Sequence, residues 1–240
     1  MDKMTFRIKR FVPEISRKHF YATYEVPVKK GMTVLDGLIY IKEKLENTLS
    51  IRYSCRMAIC GSCGMRVNGV EVLACHVQLA ELRTTRITVE PMRNFPVVKD
   101  LVVDMDEMFH KLKYLRTWLI RRDVAEQDDP AGQYTQLDEE LVRYLQFSYC
   151  IQCGLCYSAC PVVSTYPRFL GPQPLMKAYR YTADSRDEGA SERLKLVDSV
   201  EGVWRCHFAG SCSKVCPKGV DPALSIQLLR RKALTGVKGA

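Results

Sequence analysis

Residues 150–161 read Cys-Ile-Gln-Cys-Gly-Leu-Cys-Tyr-Ser-Ala-Cys-Pro, a run that sets four cysteines at short, fixed intervals before a proline. A second version of this run follows at an offset of 56 residues and retains Cys206, Cys212, Cys216 and Pro217. Ala209 stands where the second cysteine of the repeated run would be. The remaining thiols of the eleven form a separate group, Cys55, Cys60, Cys63 and Cys75. The spacings therefore indicate three thiol-rich sites, one of which lacks a thiol.

Each group matches a spacing typical of iron–sulfur ligands. The pattern C-x4-C-x2-C with a later cysteine is that of plant-type ferredoxins, and C-x2-C-x2-C-x3-C-P is that of bacterial ferredoxins, in which the cysteine before the proline binds the other cluster. Alanine cannot bind iron, so the repeated run predicts a three-iron cluster. The predicted ligands are Cys55, Cys60, Cys63 and Cys75 for [2Fe–2S], Cys150, Cys153, Cys156 and Cys216 for [4Fe–4S], and Cys160, Cys206 and Cys212 for [3Fe–4S].

Two alternatives stay open on the sequence alone. Zinc is also held by four cysteines in C-x2-4-C pairs, and the first group is less restrictive in this respect than the run before Pro161. At the second bacterial-type run, a hydroxide or a distant residue could take the place of the thiolate that Ala209 lacks.

The composition limits the class of protein. The chain has 240 residues and 47% hydrophobic residues, which suits two modest domains. No stretch approaches the roughly 18 apolar residues that span a bilayer, and Met1–Thr5 shows no secretory signal. Closely spaced thiols in a chain of this length favour metal binding in a reducing compartment.

The net charge of +9 does not predict nucleic-acid binding. Three cysteine-ligated clusters contribute about −2 each, which leaves about +3 for the loaded protein. No block of basic residues with interleaved aromatic residues follows the pattern of a phosphate-binding surface.

The two halves of the chain differ in periodicity. Residues 1–104 predict a β-rich domain with strands at Thr5–Phe11, Tyr21–Val28 and Arg86–Glu90, a hairpin at Asn68-Gly69, and a helix at Val34–Leu45 capped by Thr33. Residues 105–240 predict helices at Met105–Arg121 and Leu137–Ser148, and another that begins at Asp221-Pro222 and continues through Leu229.

The residues around these motifs carry a family resemblance. Residues 52–65, Arg-Tyr-Ser-Cys-Arg-Met-Ala-Ile-Cys-Gly-Ser-Cys-Gly-Met, resemble the [2Fe–2S] loop of the iron–sulfur subunit of succinate dehydrogenase and fumarate reductase. Residues 100–105, 150–161 and 216–222 resemble other segments of that subunit. The chain looks closer to the fumarate reductase branch at Cys63 and at Asn94-Phe95-Pro96. The resemblance implies an α+β protein: a β-grasp plant-type ferredoxin domain at 1–104 and a helical bacterial-type two-cluster ferredoxin domain at 105–240.

The resemblance also implies a function. The chain would relay electrons between a FAD-containing flavoprotein subunit, which interconverts succinate and fumarate, and a quinone bound beside a membrane anchor with or without haem. It would lie on the cytoplasmic face of the membrane and hold no catalytic residue itself. Neither a dinucleotide fingerprint nor a Walker A motif occurs in the chain, which agrees with partners that bind the flavin.

The quinone side is implied residue by residue. His207, Gln227 and Arg230 match positions near the quinone in this family, and Thr165 replaces a tryptophan of the ubiquinone-binding enzymes, so menaquinone is expected. His207 has an alternative role as a hydrogen-bond donor to a cluster sulfur or a carbonyl. Two other functions remain as alternatives: a free-standing polyferredoxin, and the iron–sulfur subunit of a soluble thiol:fumarate reductase.

Overall fold

A computed structural model describes residues 3–15 and 18–236. Met1 and Asp2 lie outside the described residues, and they are part of the N-terminal segment in which we predict no secretory signal. Residues 237–240, at the end of the second predicted domain, also lie outside the described residues. The strands are β1 Lys3–Arg10, β2 Phe20–Pro27, β3 Gly64–Val67, β4 Val70–Leu73, β5 Arg86–Glu90, β6 Val97–Lys99 and β7 Val102–Val103. The α-helices are α1 Val34–Tyr40, α2 Asp106–Tyr114, α3 Val124–Gln127, α4 Asp138–Val142, α5 Leu145–Ser148, α6 Leu155–Ser158, α7 Pro161–Thr165, α8 Pro172–Thr182, α9 Ala190–Val197, α10 Ser211–Lys214 and α11 Pro222–Thr235.

The chain divides into two compact units. The first contains the described residues up to Met105 and also Ile151–Ala159, and the second contains Asp106–Cys150 and the described residues from Cys160 onward. The domain division between residues 104 and 105 stays a prediction, and the compact units differ from it at Met105 and in the segment 151–159.

A five-stranded sheet forms the core of the first unit. Its order is β2-β1-β5-β3-β4, with β1 and β5 parallel and the other neighbours antiparallel. Met4, Phe6 and Ile8 alternate along β1 and are at most 1% exposed, as expected for a strand with one face on a core. Helix α1 packs on this face so closely that a Cβ at Gly37 would lie 2.3 Å from the Phe6 ring.

The start of α1 follows the sequence prediction. Thr33 Oγ1 accepts a hydrogen bond from the Asp36 N–H at 3.2 Å, and the Asp36 carboxylate accepts one from the Thr33 N–H at 2.9 Å, which completes a capping box. The chain is helical through Leu45, as predicted, but the last part, Ile41–Leu45, is a π-helical turn and not α-helix. The Glu46 N–H closes that turn on the Ile41 carbonyl at 2.7 Å.

The predicted hairpin between β3 and β4 is confirmed. Asn68 and Gly69 both have positive φ, 49° and 84°, as a two-residue type I′ turn requires. The register pairs Met65 with Val72, and the Ala74 N–H then donates to the Cys63 carbonyl at 3.1 Å. The hairpin thus returns the chain to the first cysteine loop.

Residues 151–159 pack with the first unit, and a side chain of that unit binds the backbone of this segment. Asn94 Nδ2 donates to the carbonyls of Tyr157 and Ser158 at 2.9 and 3.0 Å. Gly154 has φ 79°, and a Cβ there would lie 2.7 Å from Met105 Cε. These contacts hold α6 against the β-rich unit, although the cysteine run that contains α6 continues into the other unit.

Helix α8 is the centre of the second unit. All of its residues from Pro172 to Tyr179 are buried, and it contacts α2, α5, α9 and α11. Two predicted helices are shorter than expected: α2 ends at Tyr114, before Arg116 with φ 50°, and the predicted helix 137–148 is divided by Tyr144. Helix α11 instead continues past Leu229 to Thr235. Throughout residues 3–15 and 18–236, no helix is both long enough and apolar enough to cross a bilayer.

Candidate iron–sulfur sites

The first cysteine group forms a compact thiol site in the first unit. Cys63 Sγ lies 3.3 Å from Cys75 Sγ. The backbone N–H groups of the loop donate to the sulfurs, among them Cys60 N–H to Cys55 Sγ and Ala58 N–H to Cys75 Sγ, each at 3.2 Å. The same inward arrangement includes Cys55, Met57, Ile59, Ser62 and Cys75 as backbone donors, at 3.3 to 3.5 Å.

Positive φ angles turn these N–H groups inward. Arg56 and Ala58 both have φ 57°, and Gly61 has φ 76°. L-residues rarely adopt this conformation, so a loop that holds two of them together is fixed by its surroundings. N–H groups that converge on sulfur favour negative charge there, as the thiolate ligands of an iron–sulfur cluster require.

The thiols of this site have opposite electrostatic surroundings. Burial raises the pKa of the Cys63 thiol to about 12. Hydrogen bonds from Ser62 and from the Cys55 backbone lower the pKa of the more exposed Cys60 thiol to about 6. The buried thiol therefore needs a bound cation to lose its proton, whereas the loop itself already stabilises the thiolate of Cys60.

The loop of the first site touches a predicted ligand of the second. A Cβ added to Gly61 would lie 2.8 Å from Cys153 Cβ and 3.1 Å from Cys153 Cα. Within the first unit, the two predicted cluster sites are therefore in van der Waals contact through Gly61 and Cys153.

The two bacterial-type runs repeat in conformation as well as in sequence. Gln152 and Gly154 have φ 56° and 79°, and Phe208 and Gly210, at the same offset of 56 residues, have φ 55° and 71°. Each pair precedes a four-residue helix, α6 or α10. Of the predicted [4Fe–4S] ligands, Cys153 and Cys156 lie in the first unit and Cys150 and Cys216 in the second. The Val220 N–H donates to Cys216 Sγ at 3.4 Å.

The predicted [3Fe–4S] ligands line one cavity of the second unit. The residues that line it include Cys160, Cys206, Cys212 and Ala209. Burial raises the pKa of both Cys160 and Cys212, that of Cys212 to about 11, and repulsion from the neighbouring thiols adds to both shifts. The three thiols are therefore close enough to act on one another, and the missing thiol belongs to the same cavity.

Family models match both halves of the chain. Residues 5–110 match a 2Fe–2S iron–sulfur cluster binding domain, and residues 146–220 match a 4Fe–4S dicluster domain. The fumarate reductase iron–sulfur subunit of Mycobacterium tuberculosis is 48% identical over 235 residues, which cover 98% of this chain and 94% of the relative. This chain belongs to the family of fumarate reductase and succinate dehydrogenase iron–sulfur subunits.

Other relatives agree with this assignment. The fumarate reductase subunit of Haemophilus influenzae is 43% identical, with 93% of this chain and 90% of the relative covered. The succinate dehydrogenase iron–sulfur subunit of Coxiella burnetii is 36% identical, with 96% and 97% covered. A chain of the Mycobacterium smegmatis Sdh1 complex shares the fold, with a TM-score of 0.84, 24% identity, and 97% and 96% of the two chains covered. The expected fold class, a [2Fe–2S] domain followed by a dicluster domain, is confirmed.

The chain is an iron–sulfur subunit of an oxidoreductase complex. Its four predicted quinone-side residues differ in whether they line the cavity of Cys160, Cys206 and Cys212. His207 is exposed and lines the cavity of Cys160, Cys206 and Cys212. The Thr165 hydroxyl donates to carbonyls of its own helix, those of Pro161 and Val162. Neither Thr165, Gln227 nor Arg230 is among the residues that line this cavity in the described part of the second unit.

Arg230 instead holds the segment that carries Cys206. Its guanidinium donates to the carbonyls of Val203, at 2.8 Å, and Cys206, and to Gln227 Oε1 at 3.2 Å. Gln227 Nε2 is buried and has no hydrogen-bond partner in the described residues. These contacts give Arg230 a part in shaping the cluster cavity that its position in the sequence did not indicate.

The cysteine thiols of this subunit do not form a site for a single metal ion in the described residues. In the described ranges, no three His, Cys, Asp or Glu side chains are arranged to hold one metal ion. Cluster ligands bind different irons of the same cluster, so they need not meet at one point. The sequence does not predict the backbone donors near Arg56 and Ala58, because nothing in a non-glycine residue indicates a positive φ.

Proposed function

We propose that this subunit relays electrons between a FAD-containing flavoprotein subunit that interconverts succinate and fumarate and a quinone at a membrane anchor. The relatives named fumarate reductase and succinate dehydrogenase iron–sulfur subunits support this proposal. When bound, a [2Fe–2S], a [4Fe–4S] and a [3Fe–4S] cluster would supply one-electron redox stations.

The contact between Gly61 and Cys153 is the observation that carries the proposal. A Cβ at Gly61 would lie 2.8 Å from Cys153 Cβ, so the ligand loops of the first two predicted sites meet without an intervening side chain. Cys156 and Cys160 then follow four residues apart in one run. A chain that only stored clusters would not need its ligand loops in contact.

The predicted ligand sets complete the relay. The N–H groups around Cys55, Cys60, Cys63 and Cys75 suit thiolates of a [2Fe–2S] cluster. Cys160, Cys206 and Cys212 share a cavity with Ala209, which supports three iron ligands there. The remaining predicted ligands, Cys150, Cys153, Cys156 and Cys216, are assigned to the [4Fe–4S] cluster by spacing.

The two ends of the relay are assigned to different partners. The exposed Met57 and Ile59, 69% and 55% exposed beside the first site, suit docking of the flavoprotein subunit. The exposed His207, Trp204 and Phe208 beside the [3Fe–4S] cavity suit the anchor and a menaquinone. The subunit would then be peripheral to the membrane on its cytoplasmic face.

The decisive experiment is purification of the subunit from membranes in its native complex. We expect a flavoprotein subunit and at least one anchor subunit to co-purify, and electron paramagnetic resonance (EPR) spectra to show [2Fe–2S], [4Fe–4S] and [3Fe–4S] signals. Recovery of the chain alone in the soluble fraction would favour a free polyferredoxin. Recovery with a flavoprotein but without any anchor would favour a soluble thiol:fumarate reductase.

Two substitutions distinguish a residue that acts on the quinone from a residue that supports the cluster cavity. His207→Ala should lower quinone-linked activity by roughly one to two decades, since a lost hydrogen bond to a buried acceptor costs about 1–3 kcal/mol. Dye-linked activity should change little. Arg230→Ala should instead reduce the content of the three-iron cluster and both activities together, because its guanidinium binds the carbonyls beside Cys206. Equal losses of quinone-linked and dye-linked activity in His207→Ala would mean that His207 supports the cluster and does not bind the quinone.

A further inference from the structure

A buried carboxylate lies on the inner face of strand β4. Along Val70–Leu73 the two buried positions are Glu71 and Leu73, as the alternation of side chains along a strand requires. Glu71 is 5% exposed, and a glutamate is almost never buried to this extent unless it is paired. The groups that pair with Glu71 therefore indicate why the strand carries a carboxylate at a position that alternation assigns to an apolar residue.

Glu71 binds the end of helix α6. Its Oε1 accepts a hydrogen bond from Ser158 Oγ at 3.2 Å, and Ser158 is 0% exposed. The same carboxylate oxygen accepts a hydrogen bond from Arg93 Nη2 at 3.2 Å, and the backbone N–H of Arg93 donates to Ser158 Oγ at 2.8 Å. Glu71, Arg93 and Ser158 together form a polar clamp that joins three segments of the first unit.

The polar clamp connects segments that carry predicted ligands of two different clusters. Cys75, a predicted [2Fe–2S] ligand, follows Glu71 by four residues. Cys156, a predicted [4Fe–4S] ligand, lies on α6 and precedes Ser158 by two residues. A hydrogen bond to an ionised group is directional and stronger than a neutral one, whereas apolar contact has no preferred direction. The clamp can therefore fix the position of α6 relative to β4 more closely than apolar packing does.

Two guanidinium groups compensate the buried charge of Glu71, as the burial of a carboxylate requires. Arg93 is one of them, and Arg66 is the other. Arg66 faces Glu71 across the β3–β4 pair, with its Nε 3.5 Å from Glu71 Oε1. Arg66 Nη1 also pairs with Glu90 on β5 at 3.0 Å, and Glu90 accepts a hydrogen bond from the Tyr21 hydroxyl on β2 at 2.7 Å. Glu71 and Glu90 thus share one arginine, but Glu71 binds α6 and Glu90 binds β2.

We propose that Glu71 is a positioning residue for electron transfer, which sets the separation of the first two clusters because it holds α6, through Ser158, against the strand that leads to Cys75. The proposal rests on the proposed function, since it requires a [2Fe–2S] and a [4Fe–4S] cluster at their predicted ligands. The rate of electron transfer between two clusters and the magnetic interaction between their spins both fall steeply with their separation. Loss of the polar clamp should therefore weaken both.

The test measures the assembled complex by EPR and by hydrogen exchange. With both clusters reduced, the [4Fe–4S] spin accelerates the relaxation of the [2Fe–2S] spin, and Glu71→Leu should lose part of this acceleration. Amide hydrogen exchange in α6 should become about tenfold faster, as expected when a hydrogen bond to a charged group is lost. Glu71→Gln keeps an acceptor for the Ser158 hydroxyl and should restore both measurements most of the way to the wild type.

Ser158 and Glu90 provide the matched variants. Ser158→Ala removes the donor of the same hydrogen bond and should change both measurements in the same direction as Glu71→Leu. The two changes should not add in the double variant, because both remove one interaction. Glu90→Leu removes the other carboxylate that pairs with Arg66, so it should lower the thermal unfolding midpoint and leave the spin relaxation and the exchange of α6 unchanged.

The outcomes separate this inference from the proposed function. Wild-type spin relaxation and wild-type exchange of α6 in Glu71→Leu, with both clusters intact, would overturn the inference and leave the relay standing. If Glu71→Leu does not assemble, Ser158→Ala carries the same expectation and the same refutation. Equal effects in Glu90→Leu would also overturn the inference, since general destabilisation would then explain them. The absence of [2Fe–2S] and [4Fe–4S] signals from the wild-type complex would instead refute the proposed function.

Discussion

At the scale of single residues, Ala209 distinguishes the two bacterial-type runs. It lies in the cavity of Cys206 and Cys212, between Phe208 and Gly210, whose φ angles match those of Gln152 and Gly154. The backbone at Ala209 is therefore already shaped like the backbone at Cys153. Only the thiol is missing from an otherwise repeated ligand loop.

Ala209→Cys should convert the three-iron cluster to a four-iron cluster. The added thiolate supplies the missing ligand and adds negative charge, so the potential of this cluster should fall. In EPR spectra of the oxidised complex, the three-iron signal should disappear while the [2Fe–2S] signal persists. Ala209→Ser, similar in size but a much weaker iron ligand, serves as the control. The absence of a three-iron signal from the wild-type complex would contradict the ligand assignment.

Gly61 is the second residue with a specific consequence. Gly61→Ala would bring a Cβ to 2.8 Å from Cys153 Cβ and would also strain a φ of 76°. We expect lower occupancy of both the [2Fe–2S] and the [4Fe–4S] cluster, measured as iron per chain and by EPR. Gly31→Ala is the control, since Gly31 has φ 82° and a Cβ added there would meet nothing within 4 Å. It should cost only the backbone strain, about 1–2 kcal/mol. Similar cluster loss in both variants would mean that strain, and not contact with Cys153, is responsible.

At the scale of secondary structure, short elements hold the cysteines in place. The β3–β4 hairpin returns Cys75 to Cys63, and α6 is fixed by hydrogen bonds from Asn94. The N-cap residue of helix α11, Asp221, binds the repeated cysteine run that contains Cys206, Cys212 and Cys216. The Asp221 carboxylate accepts hydrogen bonds from the Leu224 N–H at 3.0 Å and from Ser213 Oγ at 2.5 Å, so the cap also binds the residue after Cys212.

Asp221→Ala should destabilise both the helix and the cluster loop. Loss of an N-cap costs about 0.5–2 kcal/mol, and here the hydrogen bond to Ser213 is lost as well. We expect a lower thermal unfolding midpoint and faster loss of the three-iron signal on storage in air. Asp221→Asn should restore most of the stability, because asparagine caps helices and tolerates positive φ.

Thr33→Ala gives the comparison for Asp221→Ala. Thr33 caps α1 in the other unit, so its loss should cost a similar amount of stability without accelerating the decay of the three-iron signal. Equal rates of decay in the two variants would show that general destabilisation, and not the link through Ser213, controls the cluster.

At the scale of the whole molecule, the proposed function makes the subunit a relay that depends on a partner for turnover of succinate and fumarate. The isolated, cluster-loaded chain should show no succinate oxidation and no fumarate reduction, because its sequence carries no flavin-binding motif. Addition of the flavoprotein subunit should restore dye-linked activity without any membrane anchor. Succinate-dependent dye reduction by the chain alone would assign it a different role.

The sequence by itself determined the features that depend on neighbours along the chain. The spacings of the eleven cysteines, the hairpin at Asn68-Gly69 and the cap at Thr33 are local, and the hairpin and the cap appear as predicted. The fold class also followed, because alternation in the first half and helical periodicity in the second reflect which faces are buried.

Only the tertiary structure decided which distant residues meet. It placed residues 151–159 with the β-rich unit, brought Gly61 against Cys153, and gave Arg230 the carbonyls beside Cys206. These relations depend on packing between segments far apart in the chain, which leaves no local periodicity or spacing to detect. The thiol pattern therefore predicts the clusters, whereas the folded chain decides which residues surround their predicted ligands.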